Sequence, residues 1–308
     1  MKSLKLVPTE TNINFVQFRK LAVALSALLL IASVYLFFSK GLNFGIDFKG
    51  GTLIEIATDG PADIADLRTR LSALDIGEVQ IQEFGSPDDV LIRVGEAKNS
   101  TDNKENLSAV DKIRTELGES VQFRRVEVVG PQISDELVQK GTLAVTVAIG
   151  LMLVYIWFRF EWQFSLGAVI ALIHDIILTI GLFSFLQLEF GLPIIAALLT
   201  IVGYSMNDTV VVYDRVRENL RKYKKMPLID LFNMSINNTL SRTVMTSVTT
   251  LLALFALYFL GGEVIRGFTF AMILGVFVGT YSSIFIAGPA LLVLGVKRDW
   301  SENASSAS

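Results

Sequence analysis

The sequence predicts a polytopic α-helical membrane protein of six transmembrane helices, with one α+β, ferredoxin-like domain inserted between helices 1 and 2. Three observations carry that prediction. First, 52% of the 308 residues are hydrophobic and only 19% charged, beyond the ~45–50% and ~25% of a soluble domain. Second, six apolar runs are each long enough to cross a bilayer. Third, about a hundred residues of alternating strand and helix pattern separate the first run from the second.

The first span is 21–38, behind a cytoplasmic N-terminus of residues 1–20. It follows Arg19 and Lys20, holds no charge and ends in the bulky Tyr35, Phe37 and Phe38. A cleaved signal peptide has a shorter core and small residues at its far end, so this run reads as a retained anchor. Residues 39–140 form the inserted domain. Its pattern gives strand (Thr52 to Ala57), helix (Ala62 to Leu74), strands (Glu78 to Phe84 and Asp89 to Val94), helix (Lys104 to Leu117) and strand (Val121 to Val129). That order is the split βαβ, or ferredoxin-like, sandwich. Pro61 stands at the expected start of its first helix, Gly118 follows the second, and Glu96 to Asn103 is a polar linker. A fold that hosts many functions leaves the domain's task open.

Five more spans follow, 141–158, 164–186, 190–212, 240–260 and 267–294, the last long enough to tilt or kink. The connection 213–239 is basic in its first half; from Pro227 it is expected to open an amphipathic helix lying on the membrane face. Residues 295–308 form a cytoplasmic tail, polar and unstructured from Ser301 to Ser308. Lys and Arg resist translocation from short flanks. Lys2, Lys5, Arg19, Lys20, Arg215, Arg217, Arg221, Lys222, Lys224, Lys225, Lys297 and Arg298 therefore fall on the cytoplasmic side, and the short opposite loops carry only Arg266. Both termini are then cytoplasmic and 39–140 is exported.

Inventory removes several classes of function. Zero Cys excludes disulfide frameworks, thiolate zinc sites and thiol nucleophiles, and the single His174 excludes multi-imidazole centres within this chain. The net charge of −3 and pI near 5.4 leave no basic footprint for nucleic acid. The glycines from Gly41 to Thr52 lack the spacing of a phosphate loop.

Four strongly polar side chains fall inside the spans: His174 and Asp175 in the third, Asp208 in the fourth, and Arg242 near the start of the fifth. A central Asp or Arg costs ~3 kcal/mol on insertion scales unless it faces a partner, the bundle interior or water. Gly167, Ala171, Asp175 and Thr179 recur every four residues as a small-residue stripe. Thr200, Gly203, Tyr204, Asn207 and Asp208 share adjoining faces, as do Arg242, Thr246 and Thr249. The pattern predicts that Asp208 and Arg242 approach each other, either as a static pair fixing helix register or as a proton-linked switch. An HD-type hydrolase reading of His174 and Asp175 lacks its further ligands, and for His174 both a relay and a structural role stand open. Gly267, Ala271, Gly275, Gly279, Ser283 and Ala287 mark one close-packing seam on the sixth span.

Several motifs together resemble the SecF branch of the SecD/SecF family of bacterial protein-export membrane subunits, relatives of the resistance-nodulation-division transporters. They are Gly45-Ile46-Asp47-Phe48-Lys49-Gly50-Gly51, Ala171-Leu172-Ile173-His174-Asp175, Gly203 to Thr209 running into Asp214 to Asn219, and Arg242-Thr243 with Thr246-Ser247. The resemblance implies a SecD partner completing a twelve-span unit, association with the SecYEG channel and with translocating preproteins, and residence in the inner membrane among lipid. It implies no cofactor and no covalent chemistry, the proton being the coupling ion. Asp208 and Arg242 match the family's proton-pathway positions, with Asn207, Asp175 and His174 as further candidates; Gly45, Asp47, Gly50 and Gly51 match its signature turn. The expected mechanism is alternating protonation of Asp208, relieved and restored by Arg242, that rocks helices and swings the exported domain, where an edge strand offers itself to extended substrate. The competing readings are a non-transporting scaffold and half of a small-molecule efflux transporter; short external loops after the second span speak against the latter.

Overall fold

The computed structural model describes residues 11–95 and 103–296. Lys2, Lys5, Lys297, Arg298, the tail 301–308 and nearly all of the linker expected at 96–103 lie outside the described residues. After a 3-10 turn at Phe15–Phe18, helix α1 (Arg19–Lys40) ends at Gly41, whose φ of 71° stops the helix. Strand β1 (Asn43–Phe44) and the single turn α2 (Ile46–Lys49) lead into the sandwich.

The sandwich is built from β2 (Gly51–Thr58), α3 (Ile64–Ser72), β3 (Val79–Phe84), β4 (Ser86–Val94), α4 (Asn103–Leu117) and β5 (Val121–Val129). Its sheet runs β3-β4-β2-β5 with every neighbouring pair antiparallel, the order of a ferredoxin-like fold. Strand periodicity divides the residues between two faces. Ile54, Ile56, Val90 and Ile92 pack with Leu67, Leu71 and Ile113 of the helices, whereas Leu53 and Leu91 turn to the other side and meet Ile46. Helix α3 begins at Ile64 rather than at Pro61, because Asp63 accepts the N–H groups of Ala65 and Asp66 at 3.0 Å and fixes the start.

Among the described residues, six helices are long and apolar enough to span a membrane. After α1 come α5 (Pro131–Arg159), α6 (Trp162–Leu186), α7 (Leu192–Lys222), α8 (Leu228–Leu260) and α9 (Glu263–Ser282). The last continues through a π-turn (Ser283–Ala287) into α10 (Gly288–Val293). Helix α5 starts ten residues before its apolar run, at Pro131 in the first helical turn, since a hydropathy scan misses the polar turns that precede it. No separate amphipathic helix lies on the membrane face after Pro227, because α8 runs unbroken from Leu228 and its first turns bury Leu231 and Phe232 in the bundle core. The break in the sixth span follows from Pro289, which has no N–H and crowds the carbonyl of Phe285 one turn earlier. The π-turn absorbs that mismatch.

Helix α9 is the most enclosed span and packs against α7 through small residues. A Cβ on Gly275 would overlap the side chain of Ile201, and one on Gly279 would press on Ser205 at 3.0 Å. Ala271 is fully buried and Gly267 faces Ile194. The stripe thus lets two backbones approach where lipid gives no hydrophobic drive to association.

Candidate functional site

Two carboxylates stand inside the bundle, each held by hydroxyls from neighbouring helices. Asp208, midway along α7, accepts a hydrogen bond from Thr243 of α8 at 2.6 Å through Oδ1 and one from Ser283 of the π-turn through Oδ2. Asp175 of α6 is fully buried and accepts from Ser205 of α7 at 2.5 Å and Ser282 of α9 at 2.7 Å, both on Oδ2. Its Oδ1 lies 2.9 Å from Nδ1 of His174. The His174 ring stacks at 6.1 Å on Tyr281, whose hydroxyl donates to the Ala22 carbonyl of α1 and bonds Ser26, each at 2.9 Å. Nε2 of His174 is buried without a partner among the described residues. A hydroxyl both donates and accepts, so the cage around either carboxylate can satisfy its ionised or its protonated form. Beside it, Tyr204 donates to Ser247 at 3.3 Å, and Ser247 bonds Thr280 at 2.8 Å.

The stripe Gly167, Ala171, Asp175 and Thr179 is buried, as its spacing predicts. Arg242 is placed otherwise. Its side chain is exposed and no ion pair joins it to Asp208 among the described residues, although its charge is near enough to act on that carboxylate. The neighbouring Thr243 turns inward instead, and with Ser247 it forms the inner face of α8. Thr246 and Thr249 are exposed and spend their hydroxyls on the carbonyls of Arg242 and Met245. One residue is 100° of helix, which moves the expected face from Arg242, Thr246 and Thr249 to Thr243 and Ser247. Asn207 also faces outward, on a stripe with Ala196, Thr200 and Gly203 whose small side chains leave the α7 backbone open. Polar groups on an outer face at mid-helix ask for a partner helix or water.

The turn after α1 forms the second part of the site. Gly50 and Gly51 take φ of 70° and 116°, which only glycine adopts without strain, and a Cβ on Gly51 would strike the Val94 carbonyl. Gly45 donates its N–H to the Phe190 carbonyl at 3.0 Å, and a Cβ there would come within 2.7 Å of Glu189. Strand β1 pairs in parallel with β6 (Glu189–Phe190) between α6 and α7. Asp47 Oδ2 accepts the N–H of Leu192 at 2.9 Å, so a side chain from the start of the sandwich caps the first turn of α7. Arg93 of β4 closes the contact by an ion pair to Glu189. Burial pushes the Glu189 carboxyl above its usual range, Arg93 opposes that, and Asp47 and Glu127 add to it. From Leu192 to Asp208 the helix is one rod about 24 Å long, joining the signature turn to the acid.

Sequence reasoning located Asp175, Asp208 and Asp47 because charge in an apolar run or a glycine turn is conspicuous. Ser205 and Ser282 carried no such signal, since serine is cheap in a membrane helix and bonds its own backbone. Ser283 was assigned to the packing seam, and it does face α7 there: its hydroxyl is bound to Asp208, one step beyond the contacts of Gly275 with Ile201 and Gly279 with Ser205.

Comparison with known proteins bears on this arrangement. The family described as "Protein export membrane protein SecD/SecF, C-terminal" matches residues 109–297, and the "SecD/SecF GG Motif" matches residues 35–62. Protein translocase subunit SecF of Cereibacter sphaeroides is 46% identical over 99% of this chain and 96% of its own. Protein translocase subunit SecDF of Brucella abortus is 44% identical over 96% of this chain, which spans 39% of that longer protein. The crystal structure of SecDF, a translocon-associated membrane protein of Thermus thermophilus, superposes with a TM-score of 0.84 at 37% identity, covering 94% of this chain and 39% of that one.

Proposed function

The chain belongs to the SecD/SecF family of protein-export membrane proteins, and from that premise we propose that it is a Sec translocase subunit that, with SecD, uses the proton-motive force to drive late steps of preprotein translocation. It acts as a proton-driven transport subunit and carries no covalent chemistry. The observation that carries the reading is Asp208, an acid inside a membrane bundle that accepts hydrogen bonds from the hydroxyls of Thr243 and Ser283 and is flanked outward by Asn207 and the charge of Arg242. The outward stripe is where SecD docks, which makes Arg242 a group shared between the two bundles rather than a clamp within one. SecD supplies the remaining acid of the path.

The basic flanks support cytoplasmic termini and a periplasmic sandwich in the bacterial inner membrane, the preprotein emerging from the SecYEG channel on that side. One charge crossing the membrane potential carries ~2.3 kcal/mol per 100 mV. A proton reaching Asp208 changes the bonds that hold α7 to α8 and α9. Because α7 is a rigid rod capped by Asp47, its displacement is delivered to the turn and to β2 of the sandwich. A static scaffold would call for a closed Asp208–Arg242 ion pair, and none joins them among the described residues. The test is completion of preprotein export in vesicles holding this chain with SecD, comparing wild type with Asp208→Asn and Arg242→Ala after assembly is confirmed. Gradient dependence vanishes in both variants on this reading; retained gradient dependence overturns it.

A further inference from the structure

We propose that the adjacent hydroxyls of Ser282 and Ser283 form a link that makes the protonation of Asp208 and the state of the His174–Asp175 pair interdependent. It rests on the reading of Asp208 as the proton site. Each serine has one hydrogen and two acceptors in reach. Ser283 bonds Asp208 or, at 3.0 Å, the Thr280 carbonyl; Ser282 bonds Asp175 at 2.7 Å or the Gly279 carbonyl at 3.1 Å. An ionised carboxylate takes the hydroxyl hydrogen, whereas a protonated one donates to the hydroxyl oxygen and sends that hydrogen to the carbonyl. The arriving proton stays on Asp208 and each serine keeps its own, so the link reverses the sense of a bond and transfers no proton.

The two serines meet at one carbonyl. The backbone N–H of Ser283 donates to Gly279, which is also the alternative acceptor of the Ser282 hydroxyl. As the Ser283 hydroxyl exchanges Asp208 for the Thr280 carbonyl, any shift of the Ser283 backbone that accompanies it is felt through its N–H at Gly279, and so in what Ser282 offers Asp175. A π-turn begins at Ser283, where the ladder shifts to wider spacing and such a change is least resisted. On the far side, Asp175 holds His174, whose unpartnered Nε2 leaves one ring nitrogen free to respond. Tyr281 under that ring ties it to Ala22 and Ser26 of α1, the helix that leads to the Asp47 turn. The ionisable groups facing the cluster are His174 and Asp175 on α6, Tyr204 and Asp208 on α7 and Tyr281 on α9, while Arg242 on the outer face of α8 acts on Asp208 through its charge alone.

The experiment is an infrared pH titration of the full chain with SecD in lipid bilayers, following the carboxyl stretch that Asp208→Asn removes. Ser282→Ala touches Asp175 and not Asp208, yet it should shift the Asp208 midpoint about threefold to tenfold in proton concentration, the scale of one hydrogen bond. Asp175→Asn should shift it too, with no further shift in the Ser282→Ala background, and Ser282→Thr, which keeps the hydroxyl, should restore it. An Asp208 band that titrates with the same midpoint in Ser282→Ala as in wild type overturns the link while leaving the proton site standing. A band that does not titrate in wild type overturns the proton-site reading and the link with it.

Discussion

Removing the Asp47 carboxylate should loosen the N-terminal end of α7 by a calculable amount. Leu192 is the first residue of α7, Gly191 before it has no side chain to cap with, Pro193 has no N–H, and the N–H of Ile194 already bonds Gly191 at 3.0 Å. Asp47 thus satisfies the Leu192 N–H from a distant part of the chain. Losing a capping side chain to Ala costs ~1 kcal/mol, and losing a negative charge at a helix N-terminus adds ~0.5 kcal/mol. Asp47→Ala should therefore raise the opening equilibrium at residues 188–195 about tenfold, and Asp47→Asn, which keeps an acceptor, about twofold. Amide hydrogen exchange on peptides from that segment reads both values. Exchange in Asp47→Ala within about twofold of wild type would refute the assignment of this contact as the mechanical tie between sandwich and bundle.

Gly275→Val should lower the thermal midpoint by the equivalent of ~1–3 kcal/mol, since its side chain enters the space of Ile201, whereas Gly203→Ala, which meets nothing within 4 Å, should leave it unchanged. Arg93→Ala should weaken docking of the sandwich at neutral pH by ~1–3 kcal/mol. Because burial raises the Glu189 carboxyl, its contribution to docking is fullest below the ordinary carboxylate value and is lost as pH rises through the raised one. Acidification should thus restore exchange protection of β4 and β6 in Arg93→Ala, and adding Glu189→Gln should flatten the profile. Arg242→Ala should leave the melting of the isolated chain within ~0.5 kcal/mol, because the side chain is exposed, while weakening association with SecD in a pull-down.

The six spans were legible because a bilayer demands long apolar runs, and the sandwich because its strands alternate on a period of two. Boundaries were less so: hydropathy cannot see the polar opening turns of α5 or the first turns of α8, which pack Leu231 and Phe232 into the bundle core. In the site, Asp175 and Asp208 announced themselves by charge. Arg242 was placed inward because periodicity fixes a face only to within a residue, and the inward role fell to Thr243. The cap that Asp47 places on Leu192 joins residues far apart in the chain and leaves no local pattern. The same holds for Ser282 and Ser283, which reach two different acids on α6 and α7 because consecutive residues of a helix point about 100° apart.

The central claim is that a proton event at Asp208 moves the sandwich relative to the bundle through α7. The chain has no cysteine, so Arg93→Cys with Glu189→Cys gives this chain its only thiols, and a short reductant-cleavable bis-thiol linker added to the chain before assembly with SecD can lock the sandwich to the α6–α7 connection. In vesicles with SecD and a proton gradient, the account predicts that locking abolishes gradient-dependent completion of preprotein export and that reduction restores it. Export that keeps its full gradient dependence while the linker is closed would contradict it.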